Sequence, residues 1–137
     1  MTETNVFLTK LVYEDISVSA NKFSIVLTTD FVYNDPVYGK ITAPTGFVSD
    51  LASIPQLFQN IISKVGVYDS AAVIHDWIYS IQTLSRDACD NVFLRAMKAS
   101  GVGFFKRYAM FWGVRGFAFL AWKRASKDVD TYRNMIK

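Results

Sequence analysis

A change in hydrophobic periodicity close to residue 44 is the feature that most constrains the fold of this chain. Before it lie short runs rich in β-branched and aromatic residues; in the longest, residues 23–33, Phe23, Ile25 and Leu27 alternate. From residue 69 onwards, apolar residues recur at helical spacing instead. Strands followed by helices predict an α+β fold, in which a small N-terminal antiparallel β-sheet or meander precedes a helical C-terminal half of three to five helices.

The chain has 137 residues, a common length for one domain, and no Gly-, Ser- or Pro-rich linker divides it. Hydrophobic residues make up 51% of the chain, which supplies a core and excludes a disordered protein. We therefore predict a single domain over residues 1–137. It is expected to be mainly β over 1–44 and helical over 69–137, with a motif loop and a short helix over 45–68. The short helix is expected at 55–63.

Two amphipathic helices are predicted in the C-terminal half. The first is expected to begin at Asp69 or Ser70, and the second at Thr83 or Ser85. The apolar stripe of the first consists of Ala71, Ile74, Trp77, Ile78 and Ile81. That of the second consists of Cys89, Val92, Phe93, Ala96 and Met97. A long aromatic-rich helix and a short polar helix are expected to follow.

The counts of cysteine and histidine narrow the chemistry. One Cys excludes an intrachain disulfide and every CxxC site, and one His excludes multi-histidine zinc sites. The sequence contains no P-loop, no GxGxxG motif and no GxSxG elbow, although Ser49 and other serines are available as nucleophiles. Cys89 belongs to an apolar stripe and is expected to pack in the core. Any imidazole chemistry within one chain must therefore use His75.

His75 lies at the flank of the first stripe, and Tyr79 follows it one turn further along the same edge. Asp90 lies at the edge of the second stripe, so two antiparallel helices joined by a short turn can bring it to the imidazole. It would fix the tautomer and leave the other ring nitrogen to accept a proton from water. Asp76 points elsewhere and could bind calcium or magnesium. The alternative is structural: His75 bonds a backbone carbonyl, Asp76 is solvated, and Asp90 is a capping or salt-bridge residue.

Asp50 stands among apolar residues in the loop sequence GFVSDLASIP. An acid buried in such a loop must be paired, capped or metal-bound. Two roles are open. Asp50 could be a third carboxylate of the same site, or it could accept hydrogen bonds from backbone N–H groups of its own loop.

Charge is unevenly distributed. Residues 1–100 carry seven basic and ten acidic residues, whereas residues 101–137 carry eight and two. The basic segment predicts an acidic partner, which could be nucleic acid, phospholipid or another chain, or else a solvated helix face. The N-terminus has no signal-peptide pattern, and an unpaired Cys is typical of synthesis in a reducing cytosol.

Residues 102–122 come closest to a membrane span. Because this stretch contains Lys106, Arg107 and Arg115, and a charge near the centre of a span costs about 2.5–3.5 kcal/mol, we expect a buried or interfacial helix instead. Its helically spaced residues are typical of a packing seam, although they could also contact a nucleic acid strand. They are Phe104, Tyr108, Phe111, Trp112, Arg115 and Phe119.

Three ordered blocks resemble a family of unknown function found mainly in tailed bacteriophages and prophages, known as domain of unknown function 1353. The blocks are TGFVSDLASIP (45–55), AAVIHDWIY (71–79) and SRDACDNVF (85–93). The resemblance covers about residues 40–120 and implies a phage origin without an established activity. Its polar motif positions are Asp50, His75, Asp76, Tyr79 and Asp90.

His75-Asp76-x-x-Tyr79, with Asp90 on the next helix, also resembles the HDxxY helix of A-two type phospholipases, especially the disulfide-poor domain of parvovirus capsids. The resemblance implies that His75 is the base for a water, that Asp76 holds calcium, and that Tyr79 and Asp90 orient the histidine. The glycine-rich calcium loop of those enzymes is not matched by residues 45–50.

Two functions follow as hypotheses. The first is a phage-encoded, hydrolase-like protein acting on lipid or another cell-envelope ester. Its catalytic residues would be His75, Asp90 and Tyr79, and Asp76 and Asp50 would bind calcium or magnesium. The second is a non-enzymatic tail, neck or internal virion protein in which the same cluster is structural. Both would be made in the host bacterial cytoplasm, and the virion is a further destination.

The helix at 103–124 is the expected contact surface under either hypothesis. Its expected partners are an anionic membrane surface or other virion proteins. Nucleic acid is a less favoured partner, and a homo-oligomer is a further alternative.

Overall fold

The computed structural model describes residues 6–18, 24–50 and 68–136. The predicted helix at 55–63 lies outside these residues. For Asp50, Phe117, Ala118 and Ala121 the structure describes the backbone only. The strands are β1 (Val6–Phe7), β2 (Tyr13–Asp15), β3 (Ser24–Leu27), β4 (Phe31–Asp35), β5 (Gly39–Ala43) and β6 (Val48–Asp50). The helices are α1 (Tyr68–Ile81), α2 (Arg86–Ala99), α3 (Phe104–Ser126) and α4 (Val129–Asn134).

The described strands form two antiparallel sheets of three strands each, ordered β1–β4–β5 and β2–β3–β6. The prediction of an α+β fold with small antiparallel sheet structure before the helices is confirmed, and the described strands divide between two sheets. The run predicted over 23–33 divides at residues 28–30, between β3 and β4. There the Asp30 carboxylate accepts hydrogen bonds from the backbone nitrogen of Thr45 (2.8 Å) and from its hydroxyl (2.9 Å). This contact holds the turn that sends the chain from one sheet to the other.

Strand β6 lies within the region predicted as a loop. It pairs antiparallel with β3, with Ser49 opposite Ile25, and the preceding Phe47 accepts a hydrogen bond from the Leu27 backbone nitrogen (3.0 Å). Three residues are too few to show the alternation that identifies a strand in a sequence. This segment is a strand because it pairs with the edge of β3. The loop prediction is therefore wrong for these three residues.

The helix starts follow the predictions closely. The described part of α1 starts at Tyr68, so Asp69 and Ser70 lie inside the helix. Ser85 caps α2, and its hydroxyl accepts a hydrogen bond from the Ala88 backbone nitrogen (3.1 Å). Of the two residues predicted to open that helix, Ser85 is the one that caps it.

The C-terminal end of α1 is held by α4. Gln82, just after the helix, has a positive φ of 48°. Arg133 of α4 donates hydrogen bonds to the backbone oxygens of Ile81 (2.7 Å) and Gln82 (3.0 Å). A cation at the end of a helix satisfies free carbonyls and opposes the helix dipole. α4 therefore fixes the end of the helix that carries His75.

Both predicted apolar stripes form the core, and all ten of their residues are buried. The Trp77 ring meets the edge of Phe47, with centroids 5.1 Å apart at 76°. Cys89 is fully buried, and burial raises the pKa of its thiol to about 12. The prediction that Cys89 packs in the core is confirmed.

Helix α3 departs from the predicted packing seam. Phe111 is buried, together with Met110 and Val114, but Trp112 and Phe119 are 64% and 57% exposed. Apolar residues occur on every side of this helix, so their spacing in the sequence does not reveal which side faces the core. The described helices include none that is long and apolar enough to cross a bilayer.

Candidate functional site

A hydrogen-bonded cluster of His75, Tyr79 and Asp90 joins α1 to α2. The Nε2 atom of His75 lies 2.8 Å from Oδ1 of Asp90, and the Tyr79 hydroxyl donates to the same oxygen at 2.8 Å. The Asp90 side chain is 1% exposed and that of His75 is 11% exposed. The structure thus brings together the three residues that the sequence analysis proposed as the catalytic set.

Helical spacing and ring contacts position this cluster. His75 and Tyr79 are four residues apart and share one face of α1, with ring centroids 4.2 Å apart. The Phe93 ring of α2 lies 4.8 Å from the imidazole, and the Trp122 ring of α3 meets Tyr79 edge-on at 5.1 Å. Each ring is held between neighbours, so the imidazole has little freedom to turn away from Asp90.

The contact with Asp90 determines which imidazole nitrogen is available. A carboxylate only accepts hydrogen bonds, so the neutral imidazole carries its proton on Nε2 and keeps a lone pair on Nδ1. No residue in the described part of the chain forms a hydrogen bond with Nδ1. The cluster therefore has the geometry of an oriented base, because the carboxylate is bonded to one nitrogen while the other can accept a proton.

The charge of Asp90 is only partly compensated. Among the described residues, its Oδ2 atom has no hydrogen-bond partner. Nη1 of Arg115, on α3, lies 3.9 Å from that oxygen, while Nη2 of the same side chain is 2.7 Å from the exposed Asp87. Tyr79 remains a neutral donor, because burial, followed by the nearby charge of Asp90, raises the pKa of its phenol. A negative charge held in this way can stabilise an imidazolium at His75.

Asp76 faces a different element from His75. Its Oδ2 atom accepts a hydrogen bond of 2.7 Å from the hydroxyl of Ser49, which is fully buried on β6. This contact ties α1 to the second sheet. The Ser49 hydroxyl donates its proton to Asp76, so it does not donate to the imidazole of His75.

The predicted cation site rests on Asp76 and Asp50. The backbone of Asp50 pairs with Ser24, directly after Ser49, but its side chain lies outside the described residues. Hard cations such as calcium take six to eight oxygen ligands. Within the described residues, no group of three or more potential ligands is clustered. The described side chains therefore supply Asp76 and the Ser49 hydroxyl, which is only part of a calcium or magnesium site.

A second buried polar cluster was not predicted. Arg95 of α2 forms two hydrogen bonds with the Asp35 carboxylate, at 2.9 and 3.0 Å, and the Tyr33 hydroxyl donates to the same carboxylate at 3.3 Å. Asp35 also accepts from the backbone nitrogens of Val37 and Tyr38 (3.0 Å each). Burial opposes ionisation, yet the bonds from Arg95 and the two amides keep the pKa of Asp35 below its usual value. This cluster joins the first sheet to α2.

The sequence did carry one signal for that cluster. Asp35 directly precedes Pro36 and a turn that closes at Gly39, where φ is +80°. An aspartate in this position is typical of a residue that accepts bonds from turn amides. Its partner Arg95 is sixty residues away, and no local pattern connects the two.

A surface groove of about 490 Å³ lies at the N-terminal end of α1. Its lining residues are Phe7, Thr9, Lys10, Leu11, Tyr13, Asp69, Ser70 and Ser100. Burial raises the pKa of the Asp69 carboxyl. His75 is not a lining residue, so this groove is separate from the histidine cluster.

The sequence that forms this fold and its His–Asp cluster matches a family model. The chain belongs to the family described as "Protein of unknown function (DUF1353)", whose model matches residues 25–114. The matched segment contains every residue of both polar clusters, and it also contains Ser49 and Asp76. Arg115 lies one residue beyond its end.

One curated relative is an "Uncharacterized protein y4jT" of Sinorhizobium fredii (strain NBRC 101917 / NGR234). It is 45% identical over 92 residues, which is 64% of this chain and 27% of that protein. The match thus spans about a quarter of the relative's length. No solved structure matches the chain.

Proposed function

We propose that this chain is a phage-encoded hydrolase in which His75 is the general base. The observation that carries the proposal is the contact of His75 Nε2 with the buried Asp90 carboxylate at 2.8 Å. Such a carboxylate holds the tautomer in which Nδ1 can accept a proton, and it favours the imidazolium that results. The phage origin is supported by the resemblance of the three motif blocks, and the ester substrate by the HDxxY resemblance.

The proposed reaction is the hydrolysis of an ester. His75 Nδ1 removes a proton from water as the water oxygen attacks the ester carbonyl carbon. The tetrahedral intermediate then collapses, the carbonyl–alkoxide bond breaks, and the imidazolium returns its proton to the leaving alcohol. Asp90 and Tyr79 position the imidazole. Asp76, with Asp50, is proposed to hold calcium or magnesium, which would polarise the carbonyl oxygen.

A second function is favoured by the burial of the same residues. Only 11% of the His75 side chain is exposed, and it lies between the rings of Tyr79 and Phe93. A non-enzymatic virion component would use the cluster to join α1 to α2, and the Asp76–Ser49 contact to join α1 to β6. Under this alternative, His75 is needed for folding and no substrate reaches it.

Hydrolysis assays with His75→Ala distinguish the two functions. Wild-type protein and the variant would be assayed on phospholipid vesicles and soluble short-chain esters, with calcium, with magnesium and with EDTA. We expect the wild type to hydrolyse an ester and His75→Ala to lose that activity while still unfolding cooperatively in urea. Equal rates for the two proteins would contradict His75 as the base. No hydrolysis of any ester by either protein would contradict the enzyme and support the structural role.

A further inference from the structure

The outward side of α3 carries aromatic side chains that no described element covers. Phe105, Trp112 and Phe119 are 86%, 64% and 57% exposed, and Leu120 beside them is 55% exposed. The three aromatic residues are seven positions apart, so they lie in one row along the helix, over about 21 Å. We call these four residues the aromatic row. Soluble proteins rarely expose such a continuous apolar strip without a partner for it.

The cations of α3 lie towards its two ends. Lys106 stands near the start of the aromatic row, and Lys123 and Arg124 at its end. Arg107 lies on another side of the helix and donates a hydrogen bond to the Val102 backbone oxygen at 3.2 Å. Arg115, near the middle of the helix, is engaged with Asp87 at 2.7 Å. The helix contains no acidic residue, and the segment 101–137 has eight basic residues against two acidic ones. The complement of this surface is therefore apolar in the middle and anionic at both ends.

We propose that the aromatic row and its flanking cations bind the surface of an anionic lipid bilayer, with α3 lying parallel to it. Trp, Phe and Leu side chains enter the boundary between headgroups and acyl chains, and Lys and Arg side chains reach the phosphates. The Lys123 ammonium lies 5.7 Å from the centroid of the Phe119 ring, so one pair already combines both contacts. The helix does not cross the bilayer, because its opposite side is packed in the core through Met110 and Val114.

A bilayer surface fits this pattern better than nucleic acid or a second copy of the chain. Nucleic acid would use cations along the whole row, but the middle of the row offers only Arg115. A second copy would place like charges opposite each other, since α3 has only basic charges. Lipid headgroups supply negative charge above an apolar layer, which matches both components of the surface.

Binding of α3 to a bilayer would bring the proposed hydrolase to its lipid substrate, and it does not depend on catalysis. Trp122, on another side of α3, packs against Tyr79, so a bilayer-bound α3 would keep the His75 cluster close to lipid esters. The surface itself needs no working base. His75→Ala is therefore expected to bind vesicles like the wild type, and a failure of hydrolysis would be distinguishable from a failure of binding.

Vesicle sedimentation tests the proposal, using phosphatidylcholine alone and phosphatidylcholine with phosphatidylglycerol. We expect strong binding only to the anionic vesicles, weakening steeply as salt is raised. Trp112→Ser and Phe119→Ser should each lower the affinity about tenfold, and Lys123→Gln and Arg124→Gln about fivefold each. Val37→Ser and Lys98→Gln remove an exposed apolar side chain and an exposed cation elsewhere, and should leave the affinity within about twofold.

Tryptophan fluorescence gives an independent readout. Of the three tryptophans, Trp77 is 1% exposed, Trp122 is partly buried against Tyr79, and Trp112 is 64% exposed. Trp112 should therefore dominate any blue shift of emission when vesicles are added. Trp112→Phe should lose most of that shift and still sediment with anionic vesicles. Equal binding to neutral and anionic vesicles, or no binding at low salt, would overturn the proposal. So would tighter binding to a single-stranded oligonucleotide, or a dimer in sedimentation velocity that Trp112→Ser dissociates.

Discussion

Asp90→Asn is expected to lower the rate constant of ester hydrolysis by about 10²-fold or more. The amide oxygen can still accept hydrogen bonds from Tyr79 and His75, which share one oxygen of the native carboxylate. What the variant loses is the negative charge beside the imidazole. The imidazolium that forms when Nδ1 takes the proton of water is then no longer stabilised, and the barrier rises.

Asp87→Asn is the matched control for this prediction. Asp87 lies on the same helix, one turn away, and contacts the same Arg115, but its side chain is 68% exposed. We expect the rate constant of Asp87→Asn to stay within about twofold of the wild type, because an exposed ion pair contributes little to the energy of the folded protein. Urea unfolding of both variants would show that the loss in Asp90→Asn comes from the site. If both variants hydrolysed the ester as fast as the wild type, Asp90 would have no catalytic role.

Arg95→Met is expected to lower the free energy of unfolding by about 3 kcal/mol at pH 7. The Asp35 side chain is fully buried, and Arg95 supplies two of its hydrogen bonds. Removing one partner of a buried ion pair leaves the other charge uncompensated, which costs about 3–5 kcal/mol. We take the lower end because Tyr33 and the turn amides still donate to Asp35. Urea titration measures the change, with Arg124→Met, at an exposed cation, as the control.

The stability of Arg95→Met should also depend on pH differently from that of the wild type. In the wild type the pKa of Asp35 is lower in the folded state than in the unfolded chain. The Asp35 carboxylate therefore contributes its full stabilisation above the unfolded pKa of about 3.9, and this stabilisation is lost as pH falls through the folded pKa. In Arg95→Met, burial outweighs the remaining bonds, and protonation of Asp35 relieves a destabilising charge. The difference in stability between the two proteins should therefore narrow from pH 7 to pH 4. A difference that stays constant over this range would contradict the role given to the ion pair.

The helical half was largely predictable because its signals are local. The period of 3.6 identified both buried stripes, and the i, i+4 spacing placed His75 and Tyr79 together. Asp90 could be assigned to the same cluster because it lies at the edge of its stripe and a short turn joins the two helices. These inferences needed only the geometry of one helix and of its neighbour.

The remainder depends on contacts between distant segments. The hydrogen bond from Ser49 to Asp76 requires β6, a strand of three residues that only the edge of β3 defines. Arg95 reaches Asp35 across sixty residues of sequence. The exposure of Trp112 could not be predicted, because apolar residues occur on every side of α3. In each case the sequence shows the residue type, but the partner is set by tertiary packing.

The ¹⁵N NMR spectrum of the histidine ring tests the central claim most directly, since His75 is the only histidine in the chain and its signals need no assignment. We predict that, at pH 8, Nε2 carries the proton and is bonded to Asp90, while Nδ1 has the chemical shift of an unprotonated nitrogen. A spectrum in which Nδ1 carries the proton, or in which the two tautomers are mixed, would contradict the assignment of His75 as a base held by Asp90.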